Sequence, residues 1–246
     1  MNSLDYNVIT FLNQFANQSW TLDTIVFLLA NNSVLKTGLI VALLGWTWFR
    51  RTDSREARAT LVFGLMASCA AVVVNWLLAL AVPFRVRPLH STELNFVIPQ
   101  SVNQQTLLTW SAFPSDNATL FFGLATCIYL VSRRAGLIAF GHVLLVVGLS
   151  RVYLGYHHPT DILVGALLGI GMVLLVTIPG VKNAVTRRPM QWELRHPSSF
   201  HAALFVMVFL IAVTFEPLYP LARFTVAVAE TTIKLTAVTL TTALHR

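Results

Sequence analysis

The sequence predicts an all-α protein: a polytopic membrane helical bundle of about six transmembrane helices with additional interfacial helices, organised as one domain over residues 1–246. Three observations lead to this prediction. Of the 246 residues, 56% are hydrophobic and only 11% are charged, whereas an ordinary soluble domain is about 25% charged. Several apolar runs approach the roughly 20 residues that a helix needs to cross a bilayer. Arginine pairs or prolines follow several of these runs, as is typical where a helix leaves the membrane or breaks.

The first 32 residues are predicted to form an interfacial segment, 1–32. Apolar residues alternate with amides between positions 4 and 18, and at helical spacing the apolar residues form one stripe. This stripe consists of Leu4, Val8, Phe11, Leu12 and Phe15. The shorter apolar run that follows, 20–30, is either a half-helix or a partner in an interfacial hairpin.

Six predicted spans follow this segment. They cover residues 34–49, 59–82, 118–132, 135–149, 161–178 and 199–215. Between the second and third spans, residues 83–113 form a polar loop that is long for a mere connector, and we expect it to be the external loop of an active site. In the fifth span, Gly165, Gly169 and Gly171 predict close packing against another helix. Residues 217–246 are predicted to form an amphipathic tail.

The placement of cations predicts an orientation. Ten of the seventeen lysines and arginines follow the first, third and fifth spans and therefore fall on one side. They are Arg50, Arg51, Arg55, Arg58, Arg133, Arg134, Lys182, Arg187, Arg188 and Arg195. Because loops rich in Lys and Arg stay inside, this side is predicted to face the cytoplasm. The loop 83–113 and the stretch 150–161 then meet at the external face.

The stretch 150–161 carries an arginine, two histidines and an aspartate between two strongly apolar runs. On a helix, His157 and Asp161 share one face, so the carboxylate is placed to hold one imidazole nitrogen while the other attacks. Arg151 offers a planar fork of donors to a phosphate. Ionisable groups at membrane depth are costly and usually functional. The alternative, a snorkelling arginine beside a helix-starting Pro-Thr-Asp, accounts for only one or two of these residues.

Three segments resemble the motifs of the type 2 phosphatidate phosphatase (PAP2) superfamily, which shares its signature with vanadium haloperoxidases. The family pattern is K-x6-R-P, then P-S-G-H, then S-R-x5-H-x3-D. Here Arg87 precedes a proline, Ser115 follows one, and the third motif is complete from Ser150 to Asp161. Asp116 stands where the family has glycine, which resembles the undecaprenyl-diphosphatase branch associated with bacitracin resistance.

The resemblance implies a role for each matching residue. His157 is expected to be the nucleophile that forms a phosphohistidine, and Asp161 is expected to orient and polarise it. Arg87 and Arg151 are expected to bind the phosphoryl oxygens. Ser115, next to the start of the third span, adds a donor close to a helix N-terminus that favours anions. Neither a metal ion nor another cofactor is implied.

Two further positions border the same predicted phosphate site. Asp116 is expected there because it directly follows Ser115 in the second motif. The family lysine of the first motif is missing, because Leu80 occupies its position. Arg85, two residues from Arg87, either supplies this charge to the phosphate or contacts lipid headgroups.

The family histidine that protonates the leaving oxygen is replaced by Asn117. An amide donates a hydrogen bond but does not transfer a proton at neutral pH. Three explanations remain open: an inactivating substitution, a natural variant that acts on a good leaving group, or a silent binding protein. A lipid monophosphate expels an alkoxide, whereas a lipid diphosphate expels a phosphate monoester whose second pKa is about 6. The substitution therefore favours a diphosphate substrate.

The sequence and the resemblance together predict a phosphatase that converts undecaprenyl diphosphate to undecaprenyl phosphate. It would recycle a lipid carrier for cell-wall biogenesis, at the external face of a bacterial inner membrane. Its expected partners are this polyprenyl lipid and the surrounding membrane lipids. The net charge of +7 fits topology and an anionic ligand better than nucleic acid. Two alternatives remain: a lipid phosphotransferase that uses the same phosphohistidine, and a non-catalytic binder of anionic lipids.

Overall fold

The computed structural model describes residues 1–50 and 55–213, and within these ranges it contains helices and loops but no strand. The all-α prediction is therefore confirmed for this part of the chain. The predicted tail 217–246 and Arg51, one of the ten cations, lie outside the described residues.

Ten α-helices make up the described ranges. They are α1 (Ser3–Asn13), α2 (Trp20–Asn31), α3 (Ser33–Arg50), α4 (Arg55–Ala81), α5 (Asp116–Val131), α6 (Arg133–His142), α7 (Ser150–Tyr153), α8 (Pro159–Leu174), α9 (Pro179–Arg195) and α10 (Pro197–Ala212). A π-helical segment, Val143–Leu149, joins α6 to α7. Short 3-10 turns cover Pro88–His90, Thr92–Leu94 and Leu175–Thr177.

Three helices among the described residues are long and apolar enough to cross a membrane by themselves. They are Arg55–Ala81, Arg133–Tyr153 and Pro159–Thr177. Helices α2 and α3 satisfy the same test as a pair with a bend of 51° between them. The apolar helices α5 and α10 have 16 residues each. Each of the six predicted spans thus corresponds to an apolar helix, and a full crossing by α5 and α10 stays a prediction.

Helix α5 lies at the centre of the bundle, in contact with α3, α4, α6 and α8. Its side chains Leu120, Phe121, Leu124 and Ile128 are all at most 1% exposed. Its N-terminus is held by α4, because the side-chain amide of Asn75 donates to the carbonyl of Pro114 at 3.3 Å. This N-terminus carries the second predicted motif.

Two glycines bring α8 into backbone contact with α5. A Cβ atom on Gly165 would lie 2.4 Å from the carbonyl oxygen of Ser115, and one on Gly169 would lie 2.0 Å from that of Thr119. The prediction of close packing is confirmed at these two positions, where only a glycine fits. It is wrong for Gly171, where an added Cβ meets nothing within 4 Å, because this residue lies on another face of the helix.

The helix α4 separates two groups of charged residues. It has 27 residues and is therefore about 40 Å long. Near its first turn, Arg58 pairs with Glu193 at 2.9 Å, and Lys182 pairs with Glu56. Its last turn leads into the loop of the first predicted motif. The basic cluster and the candidate site thus lie at opposite ends of α4; which end faces the cytoplasm stays a prediction.

The N-terminal helix α1 packs on α7 and α8 through a face that differs in part from the predicted stripe. Asp5 and Ile9 are at most 1% exposed, whereas Leu4 and Phe11 are 47% and 60% exposed. The predicted apolar stripe is therefore only partly the packing face: Val8 and Leu12 pack against the core, and the rest of the stripe is exposed. The carboxylate of Asp5 is buried in the packing face because Arg85 and Thr160 bind it there.

Candidate active site

Three segments remote in sequence meet beside the N-termini of α5 and α8. The backbone N–H of Leu89 donates to the carbonyl of Gly155 at 3.1 Å, and that of Ser115 donates to the carbonyl of Asp161 at 3.2 Å. These two bonds join the segments of all three predicted motifs. The structure therefore brings together the residues that the sequence analysis selected.

A tight turn after α7 positions the predicted nucleophile. Gly155 has a φ of 71°, in the left-handed region that favours glycine, and a Cβ there would lie 2.7 Å from the ring of Phe96. The chain then folds back, so that the N–H of Tyr156 donates to the carbonyl of Arg151 at 2.9 Å. This turn places His157 directly before α8.

The imidazole of His157 is 3% exposed and has a defined partner on each nitrogen. Its Nδ1 lies 2.7 Å from the carbonyl oxygen of Ala112. A carbonyl can only accept, so Nδ1 carries the proton and donates it to this bond. The other nitrogen, Nε2, then holds a lone pair, and it lies 3.5 Å from Nη1 of Arg87. The backbone thus selects the tautomer in which Nε2 carries the lone pair.

Burial lowers the pKa of His157 well below its usual value of 6.5, and the positive charges of Arg87 and Arg151 lower it further. Both effects disfavour the imidazolium form. The ring is therefore neutral at pH 7, which a nucleophilic histidine requires. Arg151 is itself only 7% exposed, with its guanidinium carbon 6.0 Å from the centre of the Tyr156 ring.

Arg87 is held by backbone carbonyls. Its Nε and Nη2 donate to the carbonyls of Trp110 and Ser111 at 3.0 and 2.9 Å, and Nη1 donates to that of Tyr156. Burial lowers the pKa of Arg87 to about 10, so the guanidinium stays charged at neutral pH. Because carbonyls carry no net charge, they orient this cation without neutralising it.

Asp161 was predicted to hold the imidazole of His157, and the structure gives it other hydrogen-bond partners. Its Oδ2 accepts from the backbone N–H of His158 at 2.7 Å and lies 3.1 Å from Nδ1 of the same residue. The distance from Oδ2 to Nδ1 of His157 is 3.9 Å, which is too long for a hydrogen bond. In this geometry Asp161 supports His157 through the turn that it stabilises, because the carbonyl of Ala112 already occupies Nδ1.

Arg85 was predicted to replace the missing family lysine at the phosphate. Instead, its Nη2 pairs with Asp5 at 2.7 Å, and its Nη1 pairs with Asp161 and donates to the hydroxyl of Thr160. Both terminal nitrogens thus face carboxylates. The predicted phosphate contact finds no support in these bonds, because two negative charges already compensate the guanidinium.

The second motif forms the N-terminus of α5. Ser115 is the N-cap, and its Oγ accepts from the N–H of Ala118 at 3.4 Å. Asp116 accepts from both the backbone N–H and the side-chain amide of Asn117, at 2.7 and 2.9 Å. The amide oxygen of Asn117 is buried and has no hydrogen-bond partner among the described residues. It therefore offers an acceptor, but no proton, at the position of the family acid.

A cavity of about 310 Å³ adjoins this arrangement on the side of Arg85. Its lining includes His158, His90 and Glu93. His90 is held by its Nε2, 3.1 Å from the carbonyl oxygen of Thr106. Within the described ranges, no three His, Cys, Asp or Glu side chains are grouped so that they could hold a metal ion.

Two contributors to the site were missed by the sequence analysis. The carbonyl of Ala112 leaves no trace in the sequence, because every residue has one. Asp5 did carry a signal: within the first 22 residues it is the single acidic side chain, and it occurs in an apolar helix.

Comparisons with known proteins identify relatives of this chain. The profile of the PAP2 superfamily matches residues 58–185. The chain is 28% identical to the bacitracin transport permease protein BcrC of Bacillus licheniformis over 184 residues, covering 71% of this chain and 80% of the relative. It is 25% identical to the undecaprenyl-diphosphatase BcrC of Bacillus subtilis over 169 residues, covering 68% and 79%. No solved structure matches the chain significantly.

Proposed function

Because the chain belongs to the PAP2 superfamily, we propose that it is a membrane lipid phosphatase that hydrolyses undecaprenyl diphosphate to undecaprenyl phosphate. A similar protein of B. subtilis is named for this activity. The observation that carries the proposal is the imidazole of His157. It is buried, bound through Nδ1 to Ala112, and directs Nε2 toward the guanidinium of Arg87.

In the first step, Nε2 of His157 attacks the terminal phosphorus of the diphosphate. The bond from this phosphorus to the bridging oxygen breaks, and undecaprenyl phosphate leaves with the electron pair. A trianionic lipid diphosphate yields a phosphohistidine of net charge −1 and a dianionic lipid phosphate, so no proton has to move. Arg87 and Arg151 stabilise the charge that develops on the phosphoryl oxygens, which is the main requirement of phosphoryl transfer.

In the second step, water adds to the phosphorus of the phosphohistidine. The N–P bond breaks, its electron pair returns to Nε2, and dihydrogen phosphate leaves. The carbonyl of Ala112 keeps the proton of Nδ1 in place during both steps. The N-terminus of α5, capped by Ser115, supplies a favourable dipole for the anion.

Asn117 is compatible with a diphosphate substrate and poorly suited to a monophosphate. With a monophosphate, the first step would expel an alkoxide, which needs a proton that an amide cannot supply. With a diphosphate, the leaving phosphate monoester has a second pKa of about 6 and leaves without protonation. Asp116 holds the amide of Asn117 beside the phosphate site.

We place the enzyme in a bacterial inner membrane with the site on the external face, where undecaprenyl phosphate would be recycled for cell-wall biogenesis. The support is the basic cluster at the opposite end of α4, which the positive-inside rule assigns to the cytoplasm.

A phosphate-release assay on the full chain in lipid nanodiscs tests the proposal. The chain is expected to release phosphate from undecaprenyl diphosphate, and His157→Ala is expected to lower kcat at least about a thousandfold because the nucleophile is lost. Asn117→His is expected to add activity on undecaprenyl phosphate. Undiminished turnover by His157→Ala would contradict the phosphohistidine.

Two alternative functions give different results in the same assay. A phosphotransferase would release less free phosphate when a second lipid or sugar acceptor is added. A non-catalytic binder of anionic lipids is favoured by the amide at position 117. It would bind the diphosphate without turnover, even as the Asn117→His variant.

A further inference from the structure

The N-terminal helix α1 places a carboxylate against the candidate site. Asp5 has an exposure of 0%, although it belongs to a helix whose outer face is open. Its Oδ1 accepts from the backbone N–H of Thr160 at 2.9 Å, and its Oδ2 accepts from the hydroxyl of the same residue at 2.7 Å. Its Oδ2 also accepts from Nη2 of Arg85 at 2.7 Å. These partners are 155 and 80 residues away in the sequence, so tertiary structure alone creates the contact.

The first two bonds fasten α1 to the beginning of α8. The N–H of Thr160 belongs to the first turn of α8, where backbone donors lack partners within the helix. A negative charge there also interacts favourably with the helix dipole. Asp5, which belongs to α1, therefore caps α8 at Thr160, the residue before Asp161.

The third bond links Asp5 to Asp161 through a shared cation. Arg85 binds both carboxylates, and Nη1 also donates to the hydroxyl of Thr160 at 2.9 Å. One guanidinium thus bridges two buried carboxylates and orients them. Hydrogen bonds from Thr160 and the charge of Arg85 lower the pKa of Asp5, outweighing the effect of burial, which raises it.

We propose that Asp5 is a positioning residue of the phosphatase site: it holds Arg85 against Asp161 and caps α8, and so fixes the turn that carries His157. This inference rests on the proposed function, and it makes α1 part of the active-site scaffold. Without Asp5, Arg85 has only Asp161 as a carboxylate partner. The guanidinium of Arg85 and the carboxylate of Asp161 can then rotate together. Oδ1 of Asp161 would then lose the guanidinium that orients it, and only the contacts of Oδ2 with His158 would still hold the carboxylate near His157.

The test measures steady-state kinetics of Asp5→Asn in the full chain, with undecaprenyl diphosphate in nanodiscs. We expect kcat to fall about tenfold to a hundredfold. A loss of this size is typical when a reacting group is displaced by up to about 1 Å. KM should stay within about threefold, because Asp5 acts on His157 and not on the phosphate. A change confined to KM, or an unchanged kcat, would overturn the inference.

Asp23→Asn is the matched control. Asp23 is also 0% exposed in the N-terminal segment, and it accepts from the backbone N–H groups of Asn17 and Gln100 and from the hydroxyl of Tyr153. Removal of its charge should destabilise the fold to a similar degree and leave kcat per folded molecule within about twofold. An equal loss of kcat in both variants would reduce Asp5 to a residue of general stability and refute the proposal.

A double-mutant cycle gives the sharpest result. If Asp5 acts through Arg85, the double variant Asp5→Asn/Arg85→Gln loses no more kcat than the worse single variant. If the loss of kcat in the double variant equals the product of the two single losses, Asp5 and Arg85 act independently, and the proposed action of Asp5 through Arg85 is rejected. If Asp5→Asn does not fold, Thr160→Val is tested instead, because it removes only the bridging hydroxyl. An unchanged kcat in Thr160→Val would also reject the inference.

Wild type and His157→Ala in the same assay distinguish failure of the inference from failure of the proposed function. An inactive wild type overturns both. An active wild type together with an Asp5→Asn variant of normal kcat overturns only the inference.

Discussion

The site has two halves that hold an arginine in opposite ways. Arg87 is 6% exposed and donates to three uncharged backbone carbonyls, while the carboxylates of Asp116 and Asp161 act on it only electrostatically. Arg85, two residues earlier, pairs with Asp5 and Asp161, and this trio carries a net charge of −1. An anionic substrate is attracted to the first half only. The comparison predicts that the partners of an arginine, and not its distance from a motif, determine whether it binds phosphate.

The largest expected effect comes from Arg87→Gln. It removes the positive charge beside Nε2 of His157 and leaves the carbonyls of Trp110, Ser111 and Tyr156 with fewer donors. We expect kcat/KM for undecaprenyl diphosphate to fall about a thousandfold, measured by phosphate release. Arg87→Lys should recover little of this loss, because an ammonium cannot reproduce a planar fork on three carbonyls. Full activity of the lysine variant would mean that charge alone matters at this position.

A smaller effect is expected from Arg85→Gln. Because Arg85 orients Asp161 and is not expected to bind phosphate, kcat should fall about tenfold to a hundredfold with KM nearly unchanged. The affinity for inorganic phosphate, measured by calorimetry, should stay within about threefold of wild type. If Arg85→Gln weakens phosphate binding more than Arg87→Gln does, the assignment of the two halves is reversed.

The smallest expected effect is a shift of the pH profile. Burial and the charges of Arg87 and Arg151 keep the pKa of His157 well below 6.5, and only the neutral ring attacks. Activity should therefore persist as the pH falls to 6.5 and decline only at lower pH. Arg87→Gln removes one of these charges and should move this acidic limb to higher pH. Titration of the substrate affects both proteins equally, so the difference between their kcat/KM profiles reports the enzyme alone.

The same pKa shift predicts the pH dependence of stability. Below about pH 6.5 the unfolded chain binds a proton at His157 that the folded chain excludes, so the free energy of unfolding decreases as the pH falls.

The kinetic prediction has its own contradicting outcome. A wild-type kcat/KM profile with an acidic limb at or above pH 6.5 would contradict a buried, neutral His157.

Much of the fold was predictable because the membrane imposes local rules. Apolar runs, the cations after them, and the prolines that break helices are visible in a short window of sequence, and each predicted span lies on a helix of the structure. The face of α1 was not predictable in this way, because the burial of Asp5 depends on Arg85 and Thr160. The close contacts at Gly165 and Gly169, but not at Gly171, likewise depend on which face of α8 meets α5.

By itself, the sequence determined which chemical groups the site contains. The segments around Arg87 and Ser115 and the stretch from Ser150 to Asp161 resemble the PAP2 motifs, and this resemblance implied a phosphoryl-transfer site. Hydropathy indicated a helical membrane bundle. Motif spacing and hydropathy are both local properties. Only the tertiary structure decided the partners. The carbonyl that binds His157 comes from 45 residues away, and the carboxylate that binds Arg85 comes from 80 residues away. Such contacts depend on how distant backbones pack, and no local pattern records that.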